Sequence, residues 1–245
     1  MTNDNQSCTE QFLALDKVVK QYGSGQSVQK VLRSVSLGVS RGECVALLGH
    51  SGSGKSTLLN VISGIDRADQ GEVRIGSENI TQMSETQRTL FRRKHIGFIY
   101  QSFNLIQTLS ALENVLLPLQ LNSVDNEEAL SLAHAMLDRV GLLPRAEAFP
   151  DQLSGGEQQR IAIARAMVHS PSLVLADEHT GNLDADTGRR MLDLSNEIAA
   201  AIGQTIIMVT HSHIIADSAD RVLELSDGEI IRDSYTNNAQ TGASS

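Results

Sequence analysis

The 245-residue chain contains no Trp, five Phe and three Tyr. Its core must therefore be built mainly from Leu, Ile, Val and Ala. The two cysteines, Cys8 and Cys44, form neither a disulfide framework nor a metal-ligand spacing, which fits a reducing compartment. No apolar run approaches the ~18 residues that a membrane-spanning helix needs. The opening stretch MTNDNQSCTEQ is polar and lacks the basic-then-apolar order of a signal peptide. The expectation is a cytosolic chain, brought to any membrane by another chain. Lys and Arg number 20 against 29 Asp and Glu, a net charge of −9. That argues against a general nucleic-acid binder, which needs a broadly basic face. Hydrophobic residues at 40% and charged residues at 20% are the balance of a globular protein, not a disordered one.

Apolar spacing predicts strands over 12–19 and 31–39, joined through a Gly/Ser/Gln-rich turn at 23–26. These would form an N-terminal antiparallel β region. Further strands are expected at 44–48, 71–75, 96–100, 173–176, 205–210 and 222–225, and the last is followed by an Asp227-Gly228 hairpin turn. Helical patterns cover 55–63, 84–94, 110–117, 126–140, 154–168 and 185–201. The third should stop near Pro118, and Gly141 should cap the fourth. Alternating strands and helices at both ends imply an α/β fold with a mostly parallel sheet. The nearly all-helical middle, about 102–169, reads as a helical subdomain inserted into that fold. One domain over 12–232 is expected, with loose tails at 1–11 and 237–245.

Gly49-His50-Ser51-Gly52-Ser53-Gly54-Lys55-Ser56 fits the phosphate-loop pattern, with Thr57 next in line. It lies between a short apolar strand and a helix, as the chemistry requires. The glycines allow a ring of inward-facing N–H donors, and the helix adds its positive end. Lys55 would bring a full charge to the β- and γ-phosphates, and the Ser56 hydroxyl would ligate Mg²⁺. A second apolar strand, Leu173–Ala176, ends in Asp177-Glu178. At the carboxyl edge of the sheet, Asp177 can hold Mg²⁺ through water, and Glu178 can polarise a water for attack on the γ-phosphate.

Ser154-Gly155-Gly156-Glu157-Gln158-Gln159-Arg160 opens another helix with a hydroxyl and two glycines, which is a second anion-binding arrangement. Together with the phosphate loop, it makes the chain resemble the ATP-binding-cassette (ABC) ATPases of the P-loop NTPase fold, over about residues 12–232. The resemblance implies ATP and Mg²⁺ as cofactors and assigns further residues. Gln101 corresponds to the Gln-loop residue that touches Mg²⁺ and joins the two lobes. Gly181-Asn182-Leu183-Asp184 matches the D-loop, and His211 the switch histidine at the γ-phosphate. Tyr22 is placed like the aromatic that stacks on adenine, although it could instead pack only on its turn. The family closes Ser154 and Gly156 of one subunit over ATP on the phosphate loop of another. Every element is present in this chain, so a homodimer would have two complete sites.

Two positions depart from the family pattern. His179 replaces the usual Pro after the carboxylate pair; drift on a loop and an effect on hydrolysis or dimer closure both remain open. His50 stands in the phosphate loop where Pro is also frequent, at a position that needs only backbone.

Gly49–Asn60, 92–98, 101–105 and 111–118 are similar to the lipoprotein-release and macrolide-export branch (the LolD/MacB type). That resemblance implies a separate membrane permease as partner, no nucleic acid, and a peripheral place on the cytoplasmic face of the inner membrane. Phe103, Leu105 and Ile106 either line the groove for a permease helix or pack inside the helical lobe. The basic cluster Arg88, Arg92, Arg93 and Lys94 reads as a solvated helix face, with anionic lipid headgroups as the other reading. His211-Ser212-His213 lacks the further ligands of a metal site, and Cys44 reads as a core residue. The rival function is a soluble cassette ATPase acting on nucleic acid, ribosomes or cluster assembly. The single cassette and the acidic charge weigh against it.

Overall fold

The structure is a computed structural model and describes residues 11–23, 27–100, 102–177, 185–212 and 216–236. Its strands are β1 (Gln11–Tyr22), β2 (Gln29–Ser40), β3 (Cys44–Leu48), β4 (Gln70–Ile75), β5 (Glu78–Asn79), β6 (Ile96–Ile99), β7 (Leu173–Asp177), β8 (Thr205–Thr210), β9 (Arg221–Ser226) and β10 (Glu229–Tyr235). Its helices are α1 (Lys55–Ile62), α2 (Glu85–His95), α3 (Ala111–Leu121), α4 (Asn126–Arg139), α5 (Gly155–Met167) and α6 (Ala185–Ile202), the last with side chains described from Asp193 onward.

Two sheets form. An antiparallel sheet runs β2-β1-β4-β5, and a six-stranded sheet runs β10-β9-β3-β8-β7-β6. In the second, every pair is parallel except the terminal β9–β10 hairpin. The central strands are apolar on both faces because both faces are covered. Val45 and Leu47 of β3 join Leu13, Val35 and Leu58 in the core under the antiparallel sheet. Ala46 and Leu48 point the other way, into a core shared with Leu119, Leu137 and Ile161 of the helical lobe. β7 and β8 alternate in the same manner, Val174 and Met208 to one core, Leu175 and Ile207 to the other. The expected α/β architecture with an inserted helical lobe is therefore present.

Caps explain several boundaries. Ser84, Ser110 and Ser154 each close a capping box, with Gln87, Glu113 and Glu157 as the reciprocal partners. Asp227 and Gly228 both have positive φ, the type I′ geometry that matches strand twist.

Two expectations are corrected. Helix α3 does not stop near Pro118 but runs to Leu121. Leu119 is 1% exposed in the helical core, and the Asn122 amide donates to the Pro118 and Arg93 carbonyls at 2.9 Å. Burial and this cap outweigh the one backbone bond that proline removes. The basic cluster on α2 is not a solvated face throughout. Arg88 is buried, and Arg92 Nη1 donates to the Gly64 carbonyl at 2.7 Å. Only Arg93 and Lys94 of the four are exposed.

Candidate active site

The phosphate loop leaves the carboxyl end of β3 at Gly49. Each glycine there has a separate cause. A Cβ on Gly49 would sit 2.3 Å from the Leu225 carbonyl oxygen and 2.6 Å from Ser53 Oγ. Gly52 and Gly54 have φ of +81° and +105°, in the region that side chains disfavour. The loop is braced by Ser53 N–H donating to the His50 carbonyl at 3.2 Å, and by Gly228 N–H donating to Ser53 O at 3.1 Å. Helix α1 then starts with no side-chain cap and no acid in its first turn. Its leading N–H groups have no partner within the helix, so they present a positive end to the loop.

Lys55 is 6% exposed, and its ammonium curls back to donate to the carbonyls of Gly49 and His50 at 2.8 and 3.0 Å. Ser56 Oγ donates to Asp177 Oδ1 at 3.3 Å, although the two lie 121 positions apart. A hydroxyl and a carboxylate oxygen brought together are donors of the kind Mg²⁺ takes, so Ser56 and, through water, Asp177 would be the residues to hold that ion. His211 follows β8 and lines the same cleft of about 340 Å³ as Ser51, Gly52 and Gly54–Thr57.

Gln29 and Val31 of β2 also line this cleft. Nothing in the sequence singled them out, because strand adjacency alone puts them there. Tyr22 pairs with Gln29 across β1 and β2, and 43% of it is exposed. Gln101, Glu178, His179, Gly181–Asp184 and His213 lie outside the described residues.

Ser154, Gly155 and Gly156 stand elsewhere: none of them lines the phosphate-loop cleft. A Cβ on Gly156 would meet nothing within 4 Å, and one on Gly155 only the edge of Phe103, at 3.9 Å. The fold itself does not require these glycines. They leave bare backbone at a helix start, where something outside the chain can approach closely. The Ser154 hydroxyl donates to Glu157 Oε2 at 2.7 Å. Hydrogen bonds from the Ser154 hydroxyl and amide hold the Glu157 carboxyl below its ordinary range.

The segment after position 101 is tied to the same helix. Arg165 donates to the carbonyls of Asn104 and Phe103 at 2.6 and 2.9 Å. Of the three apolar residues in question, Leu105 is buried, Phe103 packs partly against the helical core, and Ile106 is 44% exposed. A separate groove of about 530 Å³ spans the lobes. It is lined by Leu90, Arg93 and Lys94 of α2, by Leu119 and Leu132 of the helical lobe, and by His169. Cys44 packs against the helical-side core, and burial followed by the charge of Asp220 pushes its thiol up to about 12.

A cleft built on such a loop, at the edge of a parallel sheet, is a nucleotide-binding site of the P-loop class. The family model described as ABC transporter matches residues 32–181, more than half of the chain, and the chain belongs to this family. It is 50% identical over 210 residues to an uncharacterised ABC transporter ATP-binding protein of Mycobacterium tuberculosis, covering 86% of this chain and 85% of the relative. It is 43% identical over 219 residues to the lipoprotein-releasing system ATP-binding protein LolD of Legionella pneumophila, covering 89% and 96%. Among solved structures, the post-hydrolysis dimer of the ATP-binding cassette MJ0796, bound to ADP and Pi, superposes with a TM-score of 0.83. It is 39% identical, with 91% of this chain and 98% of that one covered.

Proposed function

We propose that the chain is the ATP-hydrolysing subunit of a transporter whose permease is a separate membrane protein. The observation that carries this reading is the single cleft that gathers the phosphate loop and His211, with the Ser56–Asp177 pair at the loop's helix. Lys55 and the loop amides hold the phosphates; Ser56, Asp177 and Gln101 hold Mg²⁺, which when bound screens the phosphate charge. Glu178 orients the attacking water, and His211 faces the γ-phosphate. No residue of 154–156 reaches the cleft, and the glycines there leave open space. Both facts support completion of the site by Ser154 and Gly156 of a second copy, with Asp184 at the interface. The dimeric form of the ATP-binding cassette MJ0796 supports the same arrangement.

Force passes to the permease through the groove between the lobes. Its apolar walls and the exposed cations Arg93 and Lys94 suit an amphipathic cytoplasmic helix that carries an acidic residue. The protein is then peripheral at the cytoplasmic face of the membrane. The name of the Legionella relative supports lipoprotein release or a similar extraction task. Glu178→Gln tests the reading. The variant should bind ATP, form a dimer on sizing with ATP, turn over at least about a hundredfold more slowly, and co-purify with a membrane protein from gently solubilised membranes. Hydrolysis at the parental rate would remove Glu178 from the mechanism.

A further inference from the structure

Tyr22 sits in a bonded frame that the nucleotide-site motifs do not include. Its hydroxyl donates to Asp66 Oδ2 at 2.5 Å. The other oxygen of Asp66 is 2.8 Å from Lys20 Nζ and accepts from the Arg67 amide at 2.9 Å. Lys20 is only 8% exposed, an unusual state for a lysine. Its ammonium also donates to the Arg67 carbonyl at 2.9 Å and lies 5.0 Å from the centre of the Tyr22 ring. The Asp66 carboxylate thus joins β1 to the turn that follows the phosphate-loop helix.

The charge state fits a clamp. Burial would lift the Asp66 carboxyl, but the hydrogen bonds from Lys20 and Tyr22 hold it below its ordinary range, so it is an anion at neutral pH. A hydroxyl bonded to an ionised acceptor is held more tightly than one bonded to a neutral group. Without such bonds a half-exposed tyrosine samples several rotamers, and a ligand that stacks on it must order the ring.

We propose that Lys20 and Asp66 are positioning residues that lock the Tyr22 ring at a fixed place relative to the phosphate loop, presetting a stacking face for the base of the bound nucleotide. This rests on Tyr22 being the base-stacking residue. Ordering of the ring is then completed during folding and not on binding. Lys20 acts twice, holding the carboxylate and standing over the ring.

The chain has three tyrosines and no tryptophan, so tyrosine emission is read without interference from indole, and comparison with Tyr22→Ala isolates the share of Tyr22 from that of Tyr100 and Tyr235. The full chain, as Tyr22→Phe, Asp66→Ala, their double variant and Tyr22→Ala, is titrated with ADP and with inorganic tripolyphosphate. Tyr22→Phe and Asp66→Ala should each weaken ADP by about fivefold, the loss of one hydrogen bond. The double variant should be no weaker than Tyr22→Phe, and tripolyphosphate affinity should not change in any of them. For Asp66→Ala, KM for ATP should rise while kcat changes much less. Emission should change on adding ADP in the parent and not in Tyr22→Ala. If Tyr22→Ala weakens ADP while Tyr22→Phe and Asp66→Ala bind like the parent, the clamp is wrong and stacking stands. If Tyr22→Ala binds ADP like the parent, the stacking reading itself falls. A parallel loss of tripolyphosphate affinity in Asp66→Ala would also overturn the clamp, as it would mean general damage to the loop. Should Asp66→Ala fail to fold, Tyr22→Phe, which keeps the ring, decides.

Discussion

Glycine 49 and glycine 156 belong to the two motifs that define the site, yet their surroundings are opposite. An alanine methyl at 49 would strike a carbonyl oxygen of β9 and the Ser53 hydroxyl. Backbone does not yield cheaply, so the loop or the β9–β10 hairpin must move. Gly49→Ala is expected to lower stability by about 1–3 kcal/mol and to lose ATP binding. Gly156 has open space around it and helical backbone with negative φ. Gly156→Ala removes helix entropy cost, so the melting temperature should stay level or rise, by up to about 1 kcal/mol in stability. On the proposed dimer its ATPase rate should still fall at least about tenfold, because the methyl would meet the ligand of another copy. Calorimetric melting and a phosphate-release assay on both variants separate a glycine required by the fold from one required by a partner. A Gly156→Ala protein with parental turnover would remove the signature glycine from the site.

Among elements, α3 shows best what local pattern can and cannot reveal. Its start is legible, because Ser110 and Glu113 form the capping box that their spacing promises. Its end is not. Pro118 signals a stop, and only tertiary burial of Leu119 and the amide of Asn122 carry the helix past it. Arg88 and Arg92 on α2 are a similar case. Their carbonyl partners, Met83 and Gly64, are ordinary backbone that no side-chain pattern marks. By contrast, the strands β3, β7 and β8 were legible, since continuous apolar runs have only a doubly covered sheet to enter. Helix α3 also depends on one buried polar residue. Asn114 is wholly buried: its Oδ1 accepts from Ile106 N–H at 2.9 Å, and its amide donates to the carbonyls of Ile106, Leu109 and Ser110. Asn114→Ala takes the side-chain partner from the Ile106 N–H and the Leu109 carbonyl, while the Ile106 and Ser110 carbonyls keep backbone donors, and should cost about 2–3 kcal/mol. Urea denaturation should show it, with faster hydrogen exchange over 103–110.

For the whole molecule, the candidate site divides into what one chain can display and what it cannot. Ser56 and Asp177 meet although 121 positions separate them, because β3 and β7 flank β8 and end at one sheet edge. Motif and strand order made that pairing legible. The Lys20–Asp66–Tyr22 frame was not, since a lysine, an aspartate and a tyrosine carry no spacing signal. Ser154 was legible as a helix start with two glycines, and in one copy it lies away from the cleft.

The two lobes also share a titrating seam. His169, lining the groove between them, is pushed down from its ordinary 6.5 by burial and by nearby His95; His95 is itself lowered by burial and by Lys94, against the opposing charge of Glu78. A histidine whose folded value is depressed is neutral in the fold but takes up a proton when unfolded. Below 6.5 the unfolded chain therefore binds more protons, and stability must fall with falling pH. Asp66 and Glu157 act in a lower window. Their folded values are depressed, so their contribution is complete above the ordinary carboxylate values and is lost only as pH drops through the folded ones. Stability should thus decline between pH 7 and 5.5, where only the histidines titrate, with His169 contributing a slope below about 1.4 kcal/mol per pH unit. His169→Gln should flatten that slope, while Glu157→Gln should leave it as it is and change only the limb below pH 4.5. Denaturant melts of the three proteins across this range decide the matter. An unchanged slope in His169→Gln would place the proton uptake elsewhere than at His169.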